Sequence, residues 1–219
     1  MTSVIFDLDG TLIDSLPDIH AAVNRLLASE GQAPMPRAEV QSYVGDGAPV
    51  LIRRVMAARG MEMARHGELA ARMVADYTAR SSEKTTVYPH VAEVLATLKA
   101  DGCRLGICTN KPAGLAELLV RRLGVRDLFG SLVGADTLTV RKPDPAPYHL
   151  SVRAAGGVSK RSILIGDTDT DRMTAKAAGV PAVLVTFGPE GAGIARLEPE
   201  ALLDDYADLP ALAERFLPA

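Results

Sequence analysis

The chain has 219 residues, 47% of them hydrophobic and 23% charged, with a formal net charge of −3. This is a globular composition in a chain long enough to bury a sizeable core, and it excludes a disordered polymer or a miniature held by disulfides. The mildly acidic balance and the lack of tryptophan argue against a nucleic-acid surface, and no apolar stretch nears the ~20 residues that a membrane span requires.

The first predicted element is a strand over Val4-Ile5-Phe6 that runs straight into Asp7. The chain opens directly into this run, Ser3-Val4-Ile5-Phe6, without a charged leader and cleavage site, so a cytoplasmic protein is expected. From about residue 15 to 84 no clear strand is evident. Leu16, Ile19, Val23 and Leu26 recur at helical spacing behind Pro17, and further helices are predicted over about 47–59 and 62–81. Met56, Met61, Met63 and Met73 are expected to fill the core of this helical stretch.

Alternation then sets in. A helix is predicted over 89–101, a strand over Leu105–Cys108 ending in Thr109-Asn110, and a helix over 112–123 closed by Gly124. Leu132-Val133 is the next strand, then a weaker helix over 145–155, a strand at Ile163–Ile165 running into Gly166-Asp167, a helix over 170–178 closed by Gly179, and a strand at Ala182–Val185. Short continuous apolar runs suit strands buried on both faces of a parallel sheet. Their alternation with helices predicts an α/β, Rossmann-like core of about five strands with right-handed crossovers. The expected organisation is a core formed by residues 1–14 and 85–219, with an α-helical cap inserted over 15–84. The acidic tail residues Glu200, Asp204, Asp205 and Asp208 read as a solvated face ahead of a short helix. Cys103 and Cys108, five apart along one predicted strand, point to opposite faces and read as reduced structural residues.

In open α/β sheets, ligands bind at the carboxyl ends of the strands. Four polar segments are expected to converge there: Asp7-Leu8-Asp9-Gly10-Thr11, Thr109-Asn110-Lys111-Pro112, Arg141-Lys142-Pro143-Asp144 and Gly166-Asp167-Thr168-Asp169-Thr170-Asp171. Clustered carboxylates repel and call for a cation. Hard oxygen donors favour Mg²⁺, which keeps waters and takes a substrate phosphate oxygen. Scattered histidines and two lone cysteines argue against a transition metal. Carboxylates, a lysine and a hydroxyl around a divalent ion suit a phosphoryl group.

Asp7-x-Asp9-Gly10-Thr11 at the end of an apolar strand resembles the nucleophile motif of the haloacid dehalogenase superfamily. The other three segments match that superfamily's remaining motifs in order, and the likeness spans essentially the whole chain. The inserted helices, the stretches DLDGTLIDS at Asp7–Ser15 and YVGDGA at Tyr43–Ala48, and TNKP at Thr109–Pro112 resemble the phosphoglycolate phosphatase-like branch. That branch commonly carries Asn in the slot of Asp46, so the substrate is less firmly expected than the reaction.

The resemblance implies a Mg²⁺-dependent phosphatase acting on a small phosphorylated metabolite, with 2-phosphoglycolate the foremost candidate, and no nucleic-acid or membrane partner. It implies that Asp7 attacks phosphorus, that Asp9 is the acid and base, that Thr109 and the loop around Asn110 hold the phosphoryl group, and that Lys142 offsets charge. Thr11 would brace the loop, orient Asp9 and stand on the substrate side. Asp7, the Asp9 carbonyl, Asp167 and Asp171 would surround the metal, Asp171 directly or through water. In the cap, Gly47 and Arg53 would meet substrate, although the Gly45-Asp46-Gly47 segment reads equally well as a turn, and Arg53 and Arg54 as solvated. Asp14 or Ser15 is expected to cap the first cap helix, and His20 to be structural. A monomer or a homodimer is expected. The rival readings are a β-phosphoglucomutase-like mutase, a sugar-phosphate or nucleotide phosphatase, and a phosphate-sensing module without catalysis.

Overall fold

A computed structural model describes residues 2–217. In chain order the elements are β1 (Ser3–Phe6), β2 (Ile13–Asp14), α1 (Leu16–Ser29), α2 (Arg37–Gln41), α3 (Ala48–Ala58), α4 (His66–Arg80), β3 (Thr86–Val87), α5 (Val91–Ala100), β4 (Arg104–Cys108) and α6 (Ala113–Arg122), followed by β5 (Ser131–Val133), α7 (Ala146–Ala154), β6 (Ser162–Gly166), α8 (Asp169–Ala178), β7 (Ala182–Val185), β8 (Ala201–Leu203) and α9 (Leu209–Phe216). The chain divides into two compact units: one holds the chain up to Asp14 and from Val87 onward, the other is Ser15–Thr86.

The first unit is α/β. Its six strands lie in the order β5-β4-β1-β6-β7-β8, each neighbouring pair parallel. β1 is central, with Ile5 level with Gly106 of β4 and Leu164 of β6. Every residue of β1, β6 and β7 is buried, so the apolar runs are the strand signal of a sheet covered on both faces. Each fully buried Ile, Leu, Val or Phe contributes roughly 1.5–3 kcal/mol over an exposed one, which holds the central strands against their conformational entropy. The chain leaves β1 for β4 on one side and returns to β6 on the other. The carboxyl ends of three adjacent strands therefore deliver Asp7, Thr109 and Asp167 to one edge of the sheet.

The sixth strand, β8, departs from the expected five. It is three residues long, with Leu202 39% exposed, so it carries no periodic signal of its own. Its existence is decided by pairing with β7, Val183 opposite Ala201. The flanking acidic residues are likewise more than a solvated face. Glu200 accepts from the Ala182 N–H at 2.7 Å and pairs with Arg172 at 3.0 Å, Asp204 accepts from the Thr186 hydroxyl, and Asp205 caps Ala207 and lies 2.7 Å from His90 Nδ1.

The second unit is helical. α1 packs on α2 and α4, and α3 on α4. Met56 and Met73 are buried as expected, but Met63 is 46% exposed, in a 3-10 turn ahead of α4. Ser15 stands at the N-cap of α1, yet its backbone is already helical and its side chain does not cap. A capping hydroxyl needs an extended backbone to reach back to the first turn, so the expected cap fails at Ser15. The first turn supplies a different brace. Asp18, buried, accepts from the N–H groups of Lys84 and Thr85 and from the Thr85 hydroxyl at 2.7–3.1 Å, tying the start of the unit to its end. His20 Nε2 lies 2.8 Å from the Met35 carbonyl oxygen, the expected structural place for this ring.

Among the described residues no helix is long and apolar enough to cross a membrane. Cys103 and Cys108 are free thiols, and burial pushes Cys108 up to about 12, so it stays protonated and inert.

Candidate active site

β1 ends at Phe6, and the backbone continues into Asp7, whose N–H bonds the Ile165 carbonyl at 2.9 Å. The chain then turns sharply. The N–H groups of Thr11, Leu12 and Ile13 all point at the Leu8 carbonyl, while Leu8 itself is fully buried. Gly10 holds the turn with φ +81, and a Cβ there would strike the Asp167 carboxylate. Glycine is thus required both for the left-handed backbone and for the close approach of β6's loop.

Around this turn an interlocked set of charges forms. Lys142 Nζ donates to Asp171 Oδ1 at 2.6 Å and lies 3.0 Å from Asp7 Oδ1. The second contact is off the line of a hydrogen bond, so Asp7 Oδ1 has an ion-pair partner but no hydrogen-bond donor among the described residues. The other oxygen of Asp171 accepts from the N–H groups of Asp167 and Thr168 and from the Thr168 hydroxyl, closing a capping box at the start of α8. Gly166 makes this possible, because a Cβ there would occupy the space of the Asp171 side chain. Asp167 accepts from the Thr11 hydroxyl at 2.8 Å. Thr11, expected to orient Asp9 and to stand on the substrate side, is instead fully buried with its hydroxyl on Asp167. The physical reason is the tight turn, which carries Thr11 back under the site. Its carbonyl is held in turn by the Tyr206 hydroxyl at 3.0 Å.

On the other side of β1, Thr109 follows β4 with its N–H on the Val133 carbonyl. Its hydroxyl oxygen accepts from the Lys111 N–H at 3.2 Å, which leaves the hydroxyl proton without an acceptor among the described residues. Asn110 Nδ2 donates to the Lys142 carbonyl at 3.2 Å, linking the two loops. Lys111 Nζ donates to both oxygens of Asp9, at 2.8 and 2.7 Å.

The electrostatics follow from one imbalance. Carboxylate oxygens of Asp7, Asp167 and Asp171 all lie within 4.8 Å of one another, and all three residues are buried. One ammonium, Lys142, faces them. Burial, then the Asp171 and Asp9 charges, outweigh Lys142 and raise Asp7 from 3.8 to about 6. Burial and then Asp171 and Asp7 raise Asp167 well above its ordinary value. For Lys142, burial opposes the charge, but Asp171 and Asp7 prevail and hold it protonated. A buried cluster with this excess of negative charge, and with one Asp7 oxygen lacking a hydrogen-bond donor, fits a hard cation.

Asp7, Asp9, Thr11, Thr109, Asn110, Lys142, Asp167 and Asp171 are thus brought together within the α/β unit. Gly47 and Arg53 belong to the helical unit. Gly47 opens α3 with φ +86, and Arg53 is exposed on that helix. The neighbouring Arg54 keeps its side chain 40% exposed, as expected of a solvated arginine, but has fixed partners. It pairs with Asp46 at 2.6 Å and bonds the Tyr43 carbonyl, bracing the loop before α3. Two residues that support the charged set were given no role by the sequence. Lys111 was within reach, since it sits two residues beyond Thr109 in the same motif. Tyr206 carried no signal, being 195 residues from the turn it supports.

Fold and site together define a class: a Rossmann-like hydrolase core built around a carboxylate after the first strand. A family model described as haloacid dehalogenase-like hydrolase matches residues 4–185. The chain belongs to the haloacid dehalogenase-like hydrolase family. It is similar to a phosphoglycolate phosphatase of Cereibacter sphaeroides, 43% identical over 99% of this chain and 100% of that one, and to a phosphoglycolate phosphatase of Rhodospirillum rubrum, 42% identical over 94% and 88%. Among solved structures it resembles a predicted phosphoglycolate phosphatase from Haemophilus somnus, with a TM-score of 0.88 and 29% identity over 97% of each chain.

Proposed function

We propose that the chain hydrolyses 2-phosphoglycolate to glycolate and phosphate with Mg²⁺. The end-to-end similarity to phosphoglycolate phosphatases carries this reading, and the charged set at the carboxyl edge of the sheet supplies its chemistry. Asp7 is the nucleophile. Its carboxylate attacks phosphorus in line with the leaving oxygen and forms an aspartyl-phosphate. Asp9 protonates the leaving oxygen, then takes a proton from the water that cleaves the intermediate. Thr109 donates a hydrogen bond from its hydroxyl to a phosphoryl oxygen, and N–H groups of the loop at Asn110 assist. Lys142, held by Asp171, balances the charge of Asp7 and the phosphate.

Asp7, the carbonyl of Asp9 and Asp167 are the proposed holders of Mg²⁺. Both Asp171 oxygens are already engaged, which favours contact through water. When bound, the ion neutralises phosphoryl charge and lowers the repulsion among the carboxylates. Gly47 and Arg53 are proposed contributors to substrate recognition, Arg53 because its exposed guanidinium suits a carboxylate. The protein is proposed to act in the cytoplasm.

The test is phosphate release from 2-phosphoglycolate, sugar phosphates and nucleoside monophosphates, with Mg²⁺ and with a chelator. The expected result is turnover of phosphoglycolate that ceases on chelation and in Asp7→Asn. Isomerised phosphosugar without free phosphate would establish a mutase instead.

A further inference from the structure

The proposed mechanism leaves one buried cation of the site unused. Lys111 has a side chain 5% exposed, and both oxygens of Asp9 accept from its ammonium. Its backbone is fixed on both sides. The N–H donates to the Thr109 hydroxyl, and the carbonyl accepts from the Ala135 N–H at 3.0 Å. The ammonium is therefore presented from a rigid position beside the residue assigned to the phosphoryl group. Asp7 and Asp9 each face one lysine, Asp7 facing Lys142 and Asp9 facing Lys111.

This pairing conflicts with the acid role of Asp9. A carboxyl group bridged through both oxygens to an ammonium has neither oxygen directed at a leaving group. Asp9 must come off Lys111, and a buried ammonium that loses a carboxylate is costly. An incoming anion removes the conflict. In 2-phosphoglycolate a single methylene joins the leaving oxygen to a carboxylate. When the leaving oxygen is in reach of Asp9, the carboxylate is in reach of the partner of Asp9.

We propose that Lys111 is a specificity-determining residue that reads the substrate carboxylate from the α/β unit. On binding, its ammonium passes from Asp9 to that carboxylate, and Asp9 is released toward the leaving oxygen. The substrate class is then phosphate esters of short 2-hydroxy acids. An ester with an uncharged leaving group leaves Lys111 on Asp9 and the acid out of position. This inference rests on the phosphatase reading above and adds the means of selection to it.

The experiment compares kcat/KM for 2-phosphoglycolate and for ethyl phosphate, in which a methyl replaces the carboxylate, in the wild type, Lys111→Met and Lys111→Arg. The wild type is expected to favour phosphoglycolate. In Lys111→Met the preference should fall by about 10- to 100-fold, the range of a charge-assisted hydrogen bond. Lys111→Arg keeps the charge and should keep most of the preference. An equal loss on both esters in Lys111→Met would overturn the proposal, since support of Asp9 alone affects every substrate. If Lys111→Met fails to fold by circular dichroism, Lys111→Gln tests the same ratio with a polar side chain. A wild type that cleaves both esters equally well would refute selection by Lys111 while the phosphatase reading stands. Release from neither ester would refute both.

Discussion

The metal-free protein should become more stable as pH falls from 7.5 toward 5, the reverse of ordinary acid sensitivity. The cause is Asp7, buried to 4% exposure and raised from 3.8 to about 6. The native state binds the Asp7 proton more tightly than the unfolded chain does. The penalty is therefore fully present above the native value, shrinks as pH falls through it, and is gone below the unfolded value. A carboxyl raised from 3.8 to about 6 costs on the order of 3 kcal/mol at pH 7. Asp167 is raised too and adds in the same direction. Lys142 stays protonated throughout this window and contributes no slope. The assay is urea unfolding of the chelated protein at pH 7.5 and pH 5, for the wild type and Asp7→Asn. Asparagine removes the charge without changing the shape, so this variant should be more stable than the wild type at pH 7.5 and show a shallower pH dependence. Mg²⁺ should recover much of the lost stability of the wild type at pH 7.5 and little in Asp7→Asn. An Asp7→Asn protein that is less stable at pH 7.5, or whose stability runs parallel to the wild type across pH, would refute the charge imbalance.

Three further outcomes follow from the same geometry. Asp9→Asn should slow alkyl phosphates far more than aryl phosphates, whose leaving groups need no proton, and equal losses would argue against the acid role. Gly10→Ala places a Cβ against the Asp167 carboxylate at φ +81, so it should cost about 1–2 kcal/mol of backbone strain and lower kcat through displaced Asp167, read by thermal unfolding and phosphate release. Asp18→Ala leaves the Lys84 and Thr85 N–H groups without their acceptor and should destabilise the helical unit by roughly 2–4 kcal/mol, measured by hydrogen exchange in α1 and at 84–85.

The α/β class was legible because β1, β6 and β7 are buried along their whole length and β4 along most of it, and such strands write their burial into consecutive apolar residues. The residues that gather at the carboxyl edge were legible for a related reason. Asp7, Thr109 and Asp167 each directly follow such a run, so chain order and strand ends were enough to bring them together. β8 was not legible, because three residues with an exposed middle position become a strand only by pairing with β7. The unused serine cap was misjudged because residue type states a capacity, while the backbone angle at Ser15 decides whether it is exercised.

Pairing within the site belongs wholly to the tertiary structure. Lys111 is 102 residues from Asp9, Lys142 is 29 from Asp171, and Thr11 is 156 from Asp167. The amino-acid order determined which charged groups arrive at the edge of the sheet, since local burial patterns end the strands there. Only the folded chain decided which cation holds which carboxylate. An ion pair depends on separations of a few ångströms across neighbouring loops, and those separations are set by strand order, register and the glycines that let the loops approach.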